Sequence, residues 1–134
     1  MVDFFRRKDW FVIGTDKRES WSNADIKITT DLNSVTESTD HVLDVINENK
    51  ITRIDALINN AAVQIKKKYE DLTYDDWIES FNVNVIAGFM LVKKLRKHLQ
   101  GGSVVNIGSI HSSQSKKGFL AYATTKGAIR TMTQ

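Results

Sequence analysis

Apolar positions along the chain follow two spacings, and each change of spacing marks an element. Residues 11–15 form a short apolar, β-branched run after a charged start and residues 26–30 form another, so both predict strands, each followed by an aspartate, Asp16 and Asp31. Ser34 with Glu37 three positions on has the form of a capping box. Val35, Val42, Leu43 and Ile46 then recur at helical spacing and predict a helix over 34–48. Residues 54–58 are a compact apolar run that ends abruptly in polar Asn59 and Asn60, as suits a buried parallel strand whose C-terminal end opens on a site. Thr73 and Asp76 give a second capping box, and Trp77, Phe81, Val85, Phe89, Val92 and Leu99 mark one face of a long helix ending at Gly101 and Gly102. Residues 104–107 predict the next strand, 108–118 a loop of small and polar residues, and the pattern from Ala121 onward a last helix.

Strands alternating with helices in this way define an α/β class with a parallel sheet, in one unit over residues 1–134. Composition agrees with a globular domain, at 41% hydrophobic and 26% charged residues. No run approaches the roughly 18 apolar residues of a membrane span and no charged-then-apolar leader opens the chain, so the expected setting is the cytoplasm, with no membrane partner. With no cysteine, disulfides, thiolate zinc sites and cysteine nucleophiles are excluded, and no metal site is expected. The charge of +3 and the basic groups at Lys66 to Lys68 and at Lys93, Lys94, Arg96 and Lys97 invite a nucleic-acid reading. The second group lies on the back of an amphipathic helix and acids are nearly as numerous, so solvated faces explain them and no nucleic-acid partner is expected.

Tyr122 and Lys126, four apart on a predicted helix, project from one face. Unperturbed, their side chains titrate at about 10 and about 10.4, and a neighbouring cation favours the phenolate, which moves a tyrosine toward useful proton transfer. Ser109 lies just past a strand end in the loop leading to that helix, where a hydroxyl can hydrogen-bond a substrate carbonyl, although a loop serine is usually only a turn former. Asn84 sits on or beside the apolar face of the long helix, where its amide needs a backbone group, a water or a functional partner.

In order and spacing, Asn59-Asn60-Ala61-Ala62 after a strand, Asn84 seven residues after Trp77, Ser109 after Val-Asn-Ile-Gly, and Tyr122-Ala-Thr-Thr-Lys126 resemble the short-chain dehydrogenase/reductase family. The resemblance runs from about residue 11 to the last residue, with Ala62 standing where the family usually has a glycine. It implies an oxidoreductase that passes hydride between a nicotinamide and the carbon of a small alcohol or carbonyl substrate. Tyr122 would then be the proton donor or acceptor at the substrate oxygen and Ser109 the group that holds that oxygen. Lys126 would bind the nicotinamide ribose and lower the tyrosine pKa, and Asn84 would hold a water that continues a proton relay. Asp16 resembles the acid that hydrogen-bonds the adenosine ribose and rejects a 2′-phosphate, which favours NAD over NADP. Lys17 and Arg18 beside it are the kind of residue that accepts that phosphate, and a plain surface turn is the structural alternative. Asp31 and Leu32 resemble the adenine contact and Asn60 and Ala61 the cofactor-side strand end, so the cofactor set comprises Asp16, Asp31, Leu32, Asn60, Ala61, Tyr122 and Lys126. His111 either lines the substrate pocket or is an exposed loop histidine.

The same resemblance implies a Rossmann-like doubly wound fold that opens with a first strand, a Gly-rich turn and a helix whose N-terminus receives the pyrophosphate. Residues 1–8 resemble only the last turns of that helix, and none of the seven glycines falls in a Gly-x-x-x-Gly-x-Gly segment. In such folds that strand lies centrally, between residues 11–15 and 54–58, so two half-sheets with open edges are expected. The family's last strands and substrate loop are likewise missing. Three explanations compete: part of a longer enzyme, an inactive remnant, or a half completed by a partner. As it stands the chain is expected to turn over little or nothing. The non-enzymatic alternative is a half-fold that self-associates through its open edges and the helix after Trp77, and the family's habit points to a homo-oligomer.

Overall fold

A computed structural model describes residues 1–19 and 23–134. The elements are α1 (Val2–Arg6), β1 (Ile13–Asp16), β2 (Ile26–Thr29), α2 (Val35–Glu48), β3 (Ala56–Asn59), α3 (Tyr74–Phe81), α4 (Ala87–Lys94), β4 (Ser103–Asn106) and α5 (Leu120–Thr133), with a π turn over Asn82–Ile86 and 3₁₀ turns over Tyr69–Asp71 and Ile110–Ser112. β1 pairs with β2 and β3 with β4, both in parallel, as two separate two-stranded sheets. The parallel α/β arrangement is the one the alternation predicted, and its two half-sheets are the incomplete form of the Rossmann-like, doubly wound fold that the resemblance implies. No helix among the described residues is long and apolar enough to cross a membrane.

The core joins β2, α2 and α4 through Ile28, Val42, Ile46, Leu91 and Leu95, with Ile13, Ile26, Leu57 and Leu99 packed against it. Each such side chain contributes about 1.5–3 kcal/mol when fully withdrawn from water. That packing sets β1 and β3 on either side of a cleft of about 1550 Å³, lined by residues 11–18 from one sheet and 53–63 from the other.

Two local expectations are corrected. Thr73 and Asp76 form their reciprocal capping box, but Ser34 makes no side-chain cap bond to α2. Its backbone, at φ −82° and ψ 70°, lies outside the extended region from which an N-cap hydroxyl reaches back into the first turn. Asp31 organises the entry instead, its carboxylate accepting from Asn33 N at 2.9 Å and its carbonyl from Ser34 N at 3.1 Å. The second correction concerns the long helix. Its buried side chains are Ser80, Asn84, Ala87, Leu91 and Leu95, whereas Phe89, on the predicted face, is 51% exposed. The buried line already runs through Ser80, before the π turn at 82–86, and keeps ordinary helical intervals through it, so the face turned to the core runs beside the line through Trp77 and Phe81, not along it. Regular helix also stops at Lys94, and tight turns carry the chain to Gly101, whose φ of 77° suits a residue without a Cβ. Gly102 packs so closely that a Cβ there would overlap the Ile54 carbonyl oxygen.

Candidate active site

Parallel strands leave their C-terminal ends on one side of a sheet, and the chain places its polar strand ends at the cleft. Asp16 at the end of β1, Asp31 and Leu32 after β2, and Asn60 and Ala61 after β3 all line it. Thr15 lines it too, and its Oγ1 is buried without a hydrogen-bond partner. Thr15 carries no motif, so nothing in the sequence marks it.

Asp16 is tied to Arg18 by two side-chain hydrogen bonds of 3.0 and 2.8 Å and accepts a third, 3.0 Å, from the Arg18 amide. The guanidinium holds the carboxyl at about 2, below the usual 3.8. The sign follows from a lowered folded-state value: the pair stabilises the fold above pH 3.8, and that contribution is lost as pH falls through about 2. Over any working pH Asp16 is therefore an ionised acceptor, and Arg18 is already engaged by it. The adenosine half of a nicotinamide dinucleotide fits these residues, since a ribose diol needs an ionised acceptor and an adenine needs an apolar side chain such as Leu32. The chain has no glycine-rich turn for the pyrophosphate.

Asn84 lies in the π turn and is 7% exposed. Its Oδ1 accepts from Val63 N at 2.8 Å, and its Nδ2 donates to Val63 O at 3.0 Å and to Thr125 Oγ1 at 2.9 Å. Both amide hydrogens are thus used, and one Oδ1 lone pair remains for a further donor. The amide clamps the segment after β3 to α5. Thr125, fully buried, is a partner that sequence reasoning missed; its only signal was a place between Tyr122 and Lys126.

On α5, Lys126 is 3% exposed, and its Nζ donates to the Ile107 carbonyl at 2.6 Å and sits 5.7 Å from the Tyr122 ring centroid. Burial lowers its pKa, because desolvation disfavours the ammonium. Ser109 caps the 3₁₀ turn with its Oγ accepting from His111 N at 3.2 Å, and the His111 ring lies edge-on to Tyr122 at 6.1 Å. His111 also packs on Phe119 at 4.9 Å and its Nδ1 meets the Gln114 carbonyl at 2.9 Å, so it is a half-buried member of an aromatic group, not a free loop side chain. Ser109, Tyr122 and Lys126 share the end of the chain around α5, while the cofactor candidates before them share the cleft. Ile107 joins the two groups, its N–H donating to Asn59 O at 3.1 Å and its carbonyl accepting from Lys126.

Comparison with known proteins gives this arrangement a family. A family model described as short chain dehydrogenase matches residues 15–134. Gluconate 5-dehydrogenase of Gluconobacter oxydans is 33% identical over 114 residues, 81% of this chain and 44% of that protein. Cyclopentanol dehydrogenase of Comamonas sp. is 34% identical over 107 residues, 69% of this chain and 42% of that protein. Among solved structures, an oxidoreductase of the short-chain dehydrogenase/reductase family from Brucella ovis, in complex with a partially ordered NAD, is similar with a TM-score of 0.84 at 27% identity, covering 98% of this chain and 67% of that one. A 4-hydroxyisoleucine dehydrogenase complexed with NADH shares the fold, with a TM-score of 0.87 at 24% identity over 98% of this chain and 59% of that one. The chain belongs to the short-chain dehydrogenase/reductase family, oxidoreductases of Rossmann-like fold that work with NAD(P). It spans less than half the length of the two curated relatives named here.

Proposed function

We propose that this chain carries the acid–base residues and the adenosine-side cofactor contacts of an NAD-linked oxidoreductase acting on an alcohol or carbonyl. The observation that carries the reading is Lys126, a buried ammonium with the Ile107 carbonyl as its single hydrogen-bond acceptor among the described residues, set beside the Tyr122 ring. Burying a charge beside a phenol costs stability and is repaid by function more readily than by packing. In this reading Tyr122 holds or takes the proton at the substrate oxygen, and Ser109 Oγ donates a hydrogen bond to the same oxygen as charge develops on it. Lys126 favours the phenolate by its charge, and Asn84 offers its remaining lone pair to a relay water. A bound nicotinamide would supply or accept the hydride. Asp16, Asp31, Leu32, Asn60 and Ala61 would hold its dinucleotide, with Tyr122 and Lys126 at the ribose.

Engagement of Arg18 by Asp16 favours NAD, and it sets up a test. Asp16→Ala frees Arg18 for a 2′-phosphate and removes the ribose acceptor, so the ratio of NADPH to NADH affinity is expected to rise about tenfold. Equal losses for both dinucleotides would remove Asp16 from the selectivity role.

The reading as a whole is tested by titrating the purified chain with NADH, following nicotinamide fluorescence, with light scattering on the same sample. Saturable binding by an assembly of defined size supports it. Absence of binding, with assemblies of indefinite size, sinks it and leaves the second reading, a self-associating half-fold, which the open edges of β1 and β3 favour.

A further inference from the structure

Two loops far apart in sequence meet beside Tyr122. Lys67 N donates to the Gly118 carbonyl at 3.2 Å, which lays the segment before the Tyr69–Asp71 turn against the segment before α5. The junction holds a hollow of about 280 Å³ lined in part by Lys67, Lys68, Ser115, Lys116 and Lys117, and Lys66 precedes it in the chain. Acids answer only part of this charge. Asp76 holds Lys67 at 2.8 Å and Glu70 lines the hollow, but among the described residues the other four lysines have no ion pair.

Two of those four converge on one ring. Lys116 Nζ lies 4.6 Å and Lys66 Nζ 5.6 Å from the centroid of Phe119. Phe119 is buried, and Tyr122 packs edge-on to it at 6.4 Å. Two ammonium groups brought to one ring repel each other, and the quadrupole of the ring offsets only part of that cost. A compact oxyanion at this rim would offset the rest, since lysine binds carboxylate and phosphate as a point charge.

We infer that this lysine rim seats an anionic group of the substrate, a carboxylate or a phosphate. The substrate is accordingly a hydroxy or oxo compound that also carries an anionic group. The substrate half of this inference rests on the reading of Tyr122 proposed above; the anion seat rests on the lysines alone.

Calorimetric titration of the purified chain at low salt tests it, with gluconate, inorganic phosphate and neutral sorbitol as probes. One or both anions should bind saturably and sorbitol should not. Whichever anion binds more tightly names the group, and added salt should weaken it. The double variant Lys66→Gln, Lys116→Gln should bind that anion about tenfold more weakly, as expected from losing two exposed charge pairs, and Lys66→Arg, Lys116→Arg should restore it. Failure of both anions to bind, equal affinity in the glutamine variant, or sorbitol binding as tight as gluconate overturns the anion seat. Lysine-dependent anion binding without any NADH binding keeps the seat and removes the oxidoreductase reading. NADH binding without anion binding does the reverse.

Discussion

Asn84→Ala is expected to lower the free energy of unfolding by about 3 kcal/mol, a large share of the roughly 5–15 kcal/mol that holds a domain folded. The side chain is 7% exposed and closes three hydrogen bonds, two with the backbone of Val63 and one with Thr125. Alanine leaves the Val63 N–H and C=O without this partner, and each buried orphan costs about 1–3 kcal/mol. Urea unfolding reads the global loss. Amide exchange reads its location, because Val63 N–H should lose protection in Asn84→Ala and keep it in Asn84→Asp, which retains the acceptor and loses both donors. A shift within about 0.5 kcal/mol, as at an ordinary surface site, would mean that water replaces the amide at no cost. The clamp also matters to chemistry, since Val63 begins the segment that carries Lys66 to Gly118.

Tyr122 and Lys126 were legible because an interval of four on a helix is a local rule, and the helix pattern of α5 was plain. The polar ends of β1, β2 and β3 were legible for a related reason. Parallel strands collect their C-terminal ends on one side, so the place of Asp16, Asp31 and Asn60 at the cleft follows from the alternation, while a role for them came only from the family resemblance. The long helix was misread in its face because apolar spacing follows the aromatic and branched residues, whereas the buried line begins at Ser80 and runs through Asn84 and Ala87. Ser80 and Ala87 are buried there because small side chains let elements approach closely, a quality that hydrophobicity does not register. Thr125 and the meeting of Lys66 with Lys116 at Phe119 were invisible for a different reason, being long-range contacts set by how two loops dock. Asn84 stood between these cases: its need for a partner was foreseeable, and the identity of the partner was not.

On the self-associating reading proposed above, Ile58→Pro is expected to turn scattering from assemblies at least twice the 15.2 kDa monomer mass toward that of the monomer. Ser103 N donates to Asp55 O and Ile107 N to Asn59 O, so Asp55, Leu57 and Asn59 face β4. In a parallel ladder the intervening residues turn their backbone groups the other way, so Ala56 and Ile58 point at the open edge, where the Ile58 carbonyl accepts from Asn60 N at 3.1 Å and its N–H is left to the edge. The same logic applies to β1, where Asp25 N donates to Val12 O and Thr30 N to Asp16 O, leaving Ile13 and Thr15 on the open side. Both open edges border the cleft, whose lining includes Ile13, Ala56, Leu57 and Ile58. Unpaired N–H and C=O groups beside apolar side chains are a template for a strand from a second copy, and two-stranded sheets resist such pairing poorly. Proline at 58 removes one edge donor without touching the β3–β4 ladder, so far-UV circular dichroism should change little while the mass falls. An unchanged mass would place the contact elsewhere, with the half-exposed face of Trp77, Phe81 and Phe89 next to be tested by Phe89→Glu.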